Sequence, residues 1–202
     1  DLMVTRDVIV PRPETECLVE ETSKITSANR ENRLRILDIG TGSGNIAIAL
    51  ASELPLSQVT ATDISPQALE VARGNARRYG LQERIDFLQG DLFGPVAGRL
   101  FDIILSNPPY IPSAAIERLE PEVKDFEPRI ALDGGEDGME FHRRIVAQAG
   151  KYLLPGGWLL LEVGEGQAQE VANMMKNKGE FERIGIINDL LGSPRVVKAY
   201  HE

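Results

Sequence analysis

Cysteine and histidine are nearly absent from this chain. One cysteine, Cys17, and two histidines, His142 and His201, occur in 202 residues. A single thiol excludes an internal disulfide and a cysteine-built metal site, and it suits a reducing cytoplasm. Two histidines leave a histidine-rich metal centre without donors, so no metal is expected. Long hydrophobic runs are missing as well. No apolar stretch approaches the roughly 18 residues that mark a membrane-spanning helix, and no secretory signal pattern opens the chain. Positive charge is in deficit: 22 Lys and Arg against 31 Asp and Glu leave a net charge of −9. Such a chain is repelled by phosphate backbones, which weighs against a free-standing nucleic-acid enzyme. The densest basic cluster, Arg73, Arg77 and Arg78, has helical spacing among polar residues and reads as a solvated helix face. Internal repeats and low-complexity tracts are lacking too.

What is present is an ordinary globular composition, 42% hydrophobic and 26% charged, sized for one domain with a full core. The first residue is Asp1 rather than Met, so the chain is expected to be a fragment, with an amino-terminal domain outside it. Strand-like and helix-like runs alternate. Strands are expected over 35–39, 58–63, 84–89, 101–106, 158–163, 182–187 and 196–200. Helices are expected over 45–53, from Pro66 to Gly80 with Ser65 as cap, over 138–151, and over 167–178. Pro155-Gly-Gly157 reads as a turn. The stretch 111–136, rich in Pro and Glu, is too long for a plain connector and reads as a functional loop. The pattern implies an α/β fold, a mostly parallel sheet covered on both faces, with ligands at the strands' carboxyl ends.

Polar and glycine residues converge on that rim. Asp38-Ile-Gly40-Thr41-Gly42-Ser-Gly44 follows the first strand; its glycines allow a tight turn and close ligand approach. Nicotinamide and flavin enzymes use a similar turn, but Asp38 would repel a pyrophosphate and suits an ammonium group. Asp63, followed by Ile64, ends the second strand, where an acid suits two ribose hydroxyls; capping the next helix is the other reading. Asp91 and Leu92 follow the third strand, placed to accept from an adenine amino group and to pack on its ring; a plain turn residue is the alternative. Asn107-Pro108-Pro109-Tyr110 closes the fourth strand. Prolines donate no N–H, so the Asn107 side-chain oxygen and the Pro108 carbonyl are free acceptors beside an aromatic lid, Tyr110. The set grips an –NH2 group next to a nucleoside with a cationic amino-acid tail, S-adenosylmethionine.

In this order, the strand–GxGxG turn, the two acids and Asn107-Pro-Pro-Tyr110 resemble a Rossmann-like class I S-adenosylmethionine-dependent methyltransferase, with a seven-stranded, mostly parallel sheet. Three further stretches narrow the resemblance to the HemK/PrmC family, the protein-(glutamine-N5) methyltransferases. These are Val8-Ile-Val-Pro-Arg-Pro-Glu-Thr-Glu16, the run Phe126–Gly135 with Asp137-Gly-Met139, and Asp189-Leu-Leu-Gly-Ser-Pro-Arg195. The Pro-Arg-Pro-Glu-Thr-Glu segment differs from the Pro-Arg-Ser-Pro usual in the sister enzymes that methylate a ribosomal-protein glutamine.

The resemblance implies methyl transfer to the glutamine of the Gly-Gly-Gln motif of peptide-chain release factors, yielding S-adenosylhomocysteine, in a cytoplasmic monomer that touches neither membrane nor nucleic acid. It also implies an opening segment, residues 1–33, that belongs with a catalytic core at 34–202. The family's small helical domain ahead of that segment is not in this sequence. Arg12 and Thr15 are expected against the cofactor's tail or the substrate backbone, or simply to fix the first helix. Glu127 and Arg129 are expected to pair, Trp158 and Cys17 to pack in the core. Competing readings are a nucleic-acid amino-methyltransferase acting on adenine N6 or guanine N2, a ribosomal-protein glutamine methyltransferase, a nicotinamide oxidoreductase and an inactive binding module.

Overall fold

The computed structural model describes residues 2–27 and 33–202. Asp1 and residues 28–32, beside the expected boundary at 33/34, lie outside the described residues. Seven strands form one sheet: β1 (Arg35–Ile39), β2 (Gln58–Asp63), β3 (Ile85–Gln89), β4 (Phe101–Ser106), β5 (Leu153–Glu162), β6 (Phe181–Asn188) and β7 (Pro194–His201). Their order is β3-β2-β1-β4-β5-β7-β6. β1 to β5 pair in parallel, and β7 runs antiparallel between β5 and β6. The expected seven-stranded, mostly parallel sheet is present.

Strand alternation sorts side chains to two faces. Leu37, Ile39, Ile104, Leu159 and Leu161 point to one face, where α6 (Glu140–Ala149) and α7 (Ala168–Lys178) bring Ile145, Val146, Val171 and Met175. Ile36, Val59, Ile103, Leu105 and Leu160 point to the other, under α1 (Glu16–Thr26), α2 (Asn45–Glu53) and α3 (Pro66–Arg78), which supply Leu18, Ile46, Leu50 and Ala76. β1 and β4, at the centre of the sheet, are largely apolar runs buried on both faces, as a covered parallel sheet requires. Cys17 and Trp158 pack against the second cluster, and Trp158 meets Tyr200 edge-on with ring centroids 5.3 Å apart. Arg73, Arg77 and Arg78 are exposed.

Helix α3 starts as expected. Ser65 accepts from the Ala68 N–H at 3.2 Å, and Pro66 occupies the first turn. The chain leaves β1 for β2 and β3 on one side, then returns to place β4 on the other. The carboxyl ends of β1 and β4 therefore flank the crevice where the winding reverses, the natural ligand site of such a sheet.

Three local expectations are revised. Pro155-Gly-Gly157 is not a turn but lies inside β5: Phe101 pairs with Leu153 and Ile103 with Trp158, so residues 154–157 bulge out of the ladder. A Cβ on Gly157 would sit 2.9 Å from the Leu154 carbonyl and 3.0 Å from that of Asp102, so only glycine closes the bulge. The stretch 111–136 holds a 3-10 segment at Ser113–Arg118 and two short helices, α4 (Pro121–Lys124) and α5 (Arg129–Leu132). Single turns of this length carry no readable period. Helix α6 begins at Glu140 rather than Gly138, because Gly138 sits at φ +78°. Among the described residues, no helix is long and apolar enough to cross a membrane, and no cluster of metal-binding side chains occurs.

Candidate active site

A cavity of about 230 Å³ opens at the carboxyl ends of β1, β2, β3 and β4. Its floor is the glycine turn after β1. Gly40, Gly42 and Gly44 all have positive φ, and the Gly40 and Thr41 N–H groups donate to the Thr62 carbonyl at 2.8 and 3.0 Å. The turn is thereby locked to β2. At Gly44 a side chain would press on Ala72 at 3.1 Å, so glycine also lets α3 close over the turn.

Asp63 stands on the cavity wall, with both carboxylate oxygens already engaged. Oδ2 accepts from the Gly42 N–H and Oδ1 from the Ser65 N–H, each at 2.9 Å. Burial raises its pKa, and these backbone donors offset part of that rise. An oxygen that accepts one backbone N–H keeps a further lone pair, so Asp63 can both brace the turn and accept from hydroxyls in the cavity. Ile64, Leu92, Ala131 and Phe141 make an apolar slot, with Asp91 at its edge. Arg144 of α6 holds Asp91 Oδ2 in an ion pair. Phe141 and Arg144 were not anticipated from the sequence. Lying i, i+3 on an amphipathic helix, they look like any half-exposed pair.

Asn107 closes the opposite side with Pro108 and Pro109. Its amide Nδ2 donates to Thr15 Oγ1 at 3.2 Å, across 92 residues of sequence. Arg12 and Thr15 line a smaller adjoining pocket with Thr41 and Asn107. Arg12 also pairs with Glu127 at 2.6 Å, which ties the opening segment to the loop after Asn107-Pro-Pro-Tyr110.

Four placements depart from expectation. Asp38 is completely buried beneath the turn and lines neither pocket. Thr41 donates to its Oδ2 at 2.6 Å, the Ala47 N–H donates as well, and burial pushes its pKa up to about 7. It anchors the turn from below instead of facing an ammonium group. Tyr110 is not a lid on the cavity. Gly164 lies close against the ring, the phenol faces Glu162, and burial pushes it up to about 12. Gly44 lies behind the wall, acting through α3. Glu127 pairs with Arg12 and not with Arg129, which pairs with Glu117 and Asp133. Arg129 heads α5 and faces its own turn, whereas Glu127 precedes it and faces inward, with its side chain only 5% exposed.

The closing Asp189–Arg195 run builds the hairpin between β6 and β7. Asp189 Oδ1 accepts from the Leu191 and Ser193 N–H groups at 2.9 Å, Gly192 takes φ +86°, and Arg195 returns to Asp189 at 3.4 Å. Arg195 in turn lies near Glu162, the last residue of β5, and stabilises its charge.

The cavity suits S-adenosylmethionine by its chemistry. A glycine floor open to close approach, an acid at the end of β2, an apolar slot for a flat ring and an acid at the slot's edge match a nucleoside; the Asn107 side matches the reactive end. Residues 15–119 match the family described as methyltransferase small domain. The release factor glutamine methyltransferase of Geobacter sulfurreducens is 48% identical over 179 residues, covering 89% of this chain and 61% of that protein. The one from Koribacter versatilis is 44% identical over 198 residues, covering 98% of this chain and 68% of that protein. This chain thus spans about two thirds of the length of these relatives. A solved protein-(glutamine-N5) methyltransferase (release factor-specific) from Alicyclobacillus acidocaldarius superposes with a TM-score of 0.59 at 32% identity, covering 96% of this chain and 94% of that one. Matched along nearly its whole length, with a glycine turn, two rim acids and a strand-end Asn-Pro-Pro around one cavity, the chain belongs to the release factor glutamine methyltransferases, S-adenosylmethionine-dependent enzymes of the methyltransferase small domain family.

Proposed function

We propose that this chain methylates the side-chain amide nitrogen of the glutamine in the Gly-Gly-Gln motif of peptide-chain release factors. The observation that carries the reading is the hydrogen bond from Asn107 Nδ2 to Thr15 Oγ1. With its NH2 committed there, Asn107 turns its carbonyl oxygen to the cavity. Pro108 beside it offers its backbone carbonyl as a second acceptor. Two fixed acceptors match the two N–H bonds of a primary amide.

S-adenosylmethionine, when bound, supplies the sulfonium methyl. The chain's own work is orientation. An amide lone pair is delocalised into its carbonyl, so the nitrogen must be held with that lone pair aimed along the line of displacement. The same acceptors stabilise the positive charge that develops on nitrogen, without rearranging. Asp63 and the glycine turn hold the ribose end, with Asp91 and Leu92 against the base. Arg12 and Thr15 bring the opening segment to the substrate side, which supports reading residues 1–33 with the catalytic core at 34–202. The net charge of −9 favours a protein substrate over a nucleic acid. Release factors act in the cytoplasm, which places the enzyme there, working as a monomer without membrane contact.

The test is mass spectrometry of a release factor after incubation with the chain and S-adenosylmethionine. One added methyl on the Gly-Gly-Gln glutamine is the expected result. Methyl transfer to DNA, rRNA or tRNA alone would overturn the proposal.

A further inference from the structure

Glu162 ends β5 directly behind the Asn-Pro-Pro-Tyr segment, and no role above uses it. It is 1% exposed, lines neither pocket, and its Oε2 is buried without a hydrogen-bond partner among the described residues. A carboxylate is rarely sealed in this way unless its neighbours need an acceptor. Two hydroxyls face it, those of Thr15 and Tyr110, and both favour its charged form. The backbone is held in place too: the His142 ring Nε2 lies 2.8 Å from the Glu162 carbonyl, which can only accept, so Nε2 carries the proton and donates.

The two hydroxyls stand at opposite ends of one tetrapeptide. Tyr110 is its last residue. Thr15 is the partner of its first, Asn107. A threonine hydroxyl has one proton to give and lone pairs with which to accept. If that proton points at Glu162, the oxygen is left to accept from Asn107 Nδ2, and the Asn107 carbonyl must then face the cavity. If the proton pointed at Asn107, the amide would be free to turn over and present N–H donors where the substrate needs acceptors. We propose that Glu162 is a positioning residue: its carboxylate orients the Thr15 hydroxyl, and through it sets which face of the Asn107 amide meets the substrate, while holding Tyr110 at the other end of the segment.

This inference rests on the function proposed above but is tested separately from it. The side-chain amide of Asn107 is followed by NMR in chain labelled with 15N-asparagine, its signal assigned by its loss in Asn107→Asp. In parallel, kcat and KM for release factor are measured for Glu162→Gln, Thr15→Val, Thr15→Ser and the double variant Glu162→Gln/Thr15→Val. The expected result has four parts. Glu162→Gln and Thr15→Val both move the Asn107 amide signal. Each lowers kcat at least tenfold with KM changed less than threefold. The double variant is no slower than the slower single, because both break one relay. Thr15→Ser, which keeps the hydroxyl, recovers most of what Thr15→Val loses. An unmoved Asn107 signal in Glu162→Gln would overturn the proposal, as would losses that multiply in the double variant. If the wild-type chain methylates no release factor, the function proposed above fails. The amide signal would still decide whether Glu162 sets the orientation of Asn107.

Discussion

Arg12 and Glu127 meet at 2.6 Å although 115 residues separate them in sequence. The pair closes a ring around the Asn107 side of the cavity: opening segment, Thr15, Asn107, and the loop that follows. Glu127 is buried, and its Oε2 has no hydrogen-bond partner among the described residues. Arg12→Ala would leave a buried carboxylate without its counter-charge. The Arg12 side chain is 41% exposed, so water offsets part of the loss. The expected destabilisation is on the order of 1–2 kcal/mol, read by urea denaturation. Because Arg12 also borders the pocket next to Asn107, KM for the protein substrate should rise in the same variant. Unchanged stability together with unchanged KM would show that the contact holds neither loop.

Asn107 and Asp63 should separate chemistry from cofactor binding. Asn107→Ala removes the proposed acceptor for developing charge, and a loss of about 10²- to 10³-fold in kcat is expected. S-adenosylmethionine affinity, read by calorimetry, should survive. Asp63→Ala should do the reverse. It removes the proposed ribose acceptor and also frees the Gly42 and Ser65 N–H groups that Asp63 holds at 2.9 Å. Cofactor affinity should then fall about 10- to 100-fold, corresponding to roughly 1–3 kcal/mol. Equal loss of both functions in Asn107→Ala would assign that residue a purely structural role.

Gly138 gives a steric test of the loop behind the active segment. A Cβ there would collide with the Tyr110 carbonyl oxygen and approach Gln167 Nε2 at 2.9 Å, and φ is +78°. Gln167 Nε2 itself donates to that carbonyl at 2.9 Å. Gly138→Ala should therefore displace the end of Asn107-Pro-Pro-Tyr110, costing on the order of 2–3 kcal/mol from overpacking and strain together. Activity should fall further than Gly179→Ala. Gly179 has a similar φ of +73° but open space around its Cβ position.

The sheet and the rim were legible because their signals are local. Four strand-like runs deliver a glycine turn, Asp63, Asp91 and Asn107 to one rim, and the turn after β1 needs glycine at three positions. What sequence did not yield depends on contacts between distant segments. Arg144 reaches Asp91 and Arg12 reaches Glu127. A charged residue on a half-exposed face looks the same whether it meets solvent or a partner 50 or more residues away. Asp38 misled for a related reason: a strand-end acid beside a glycine turn has the right type, but strand alternation points it down towards α2. Pro155-Gly-Gly157 reads as a turn because Pro and Gly break regular structure; a wide bulge within a strand needs the same residues. Glu162 simply looked like one polar residue near the end of an apolar strand, 158–163.

Two buried acids, Asp38 and Glu162, work against stability as pH rises towards neutrality, while buried His142, its pKa lowered by burial, works the other way. Burial pushes each acid up to about 7, from 3.8 and 4.5 respectively. Their native pKa values are raised, so below about pH 4 they are protonated in both folded and unfolded chains. Between that point and pH 7 the folded chain holds protons that the unfolded chain has released. By linkage, the contribution of these two acids to stability falls as pH rises through this window and levels off above it. For Glu162 the shift corresponds to an upper bound on the order of 3 kcal/mol. Glu162→Gln removes that contribution, whereas Asp137 and Asp189, whose pKa values are lowered by donors from Arg143 and from the hairpin backbone, act only at lower pH. Urea denaturation at pH 5 and pH 8 should show wild-type stability dropping more than that of Glu162→Gln, with the variant the more stable of the two at pH 8. It should nevertheless be the slower enzyme. An equal drop in both proteins would mean that Glu162 is already ionised at pH 5, its charge held by Arg195, Thr15 and Tyr110 strongly enough to cancel the burial.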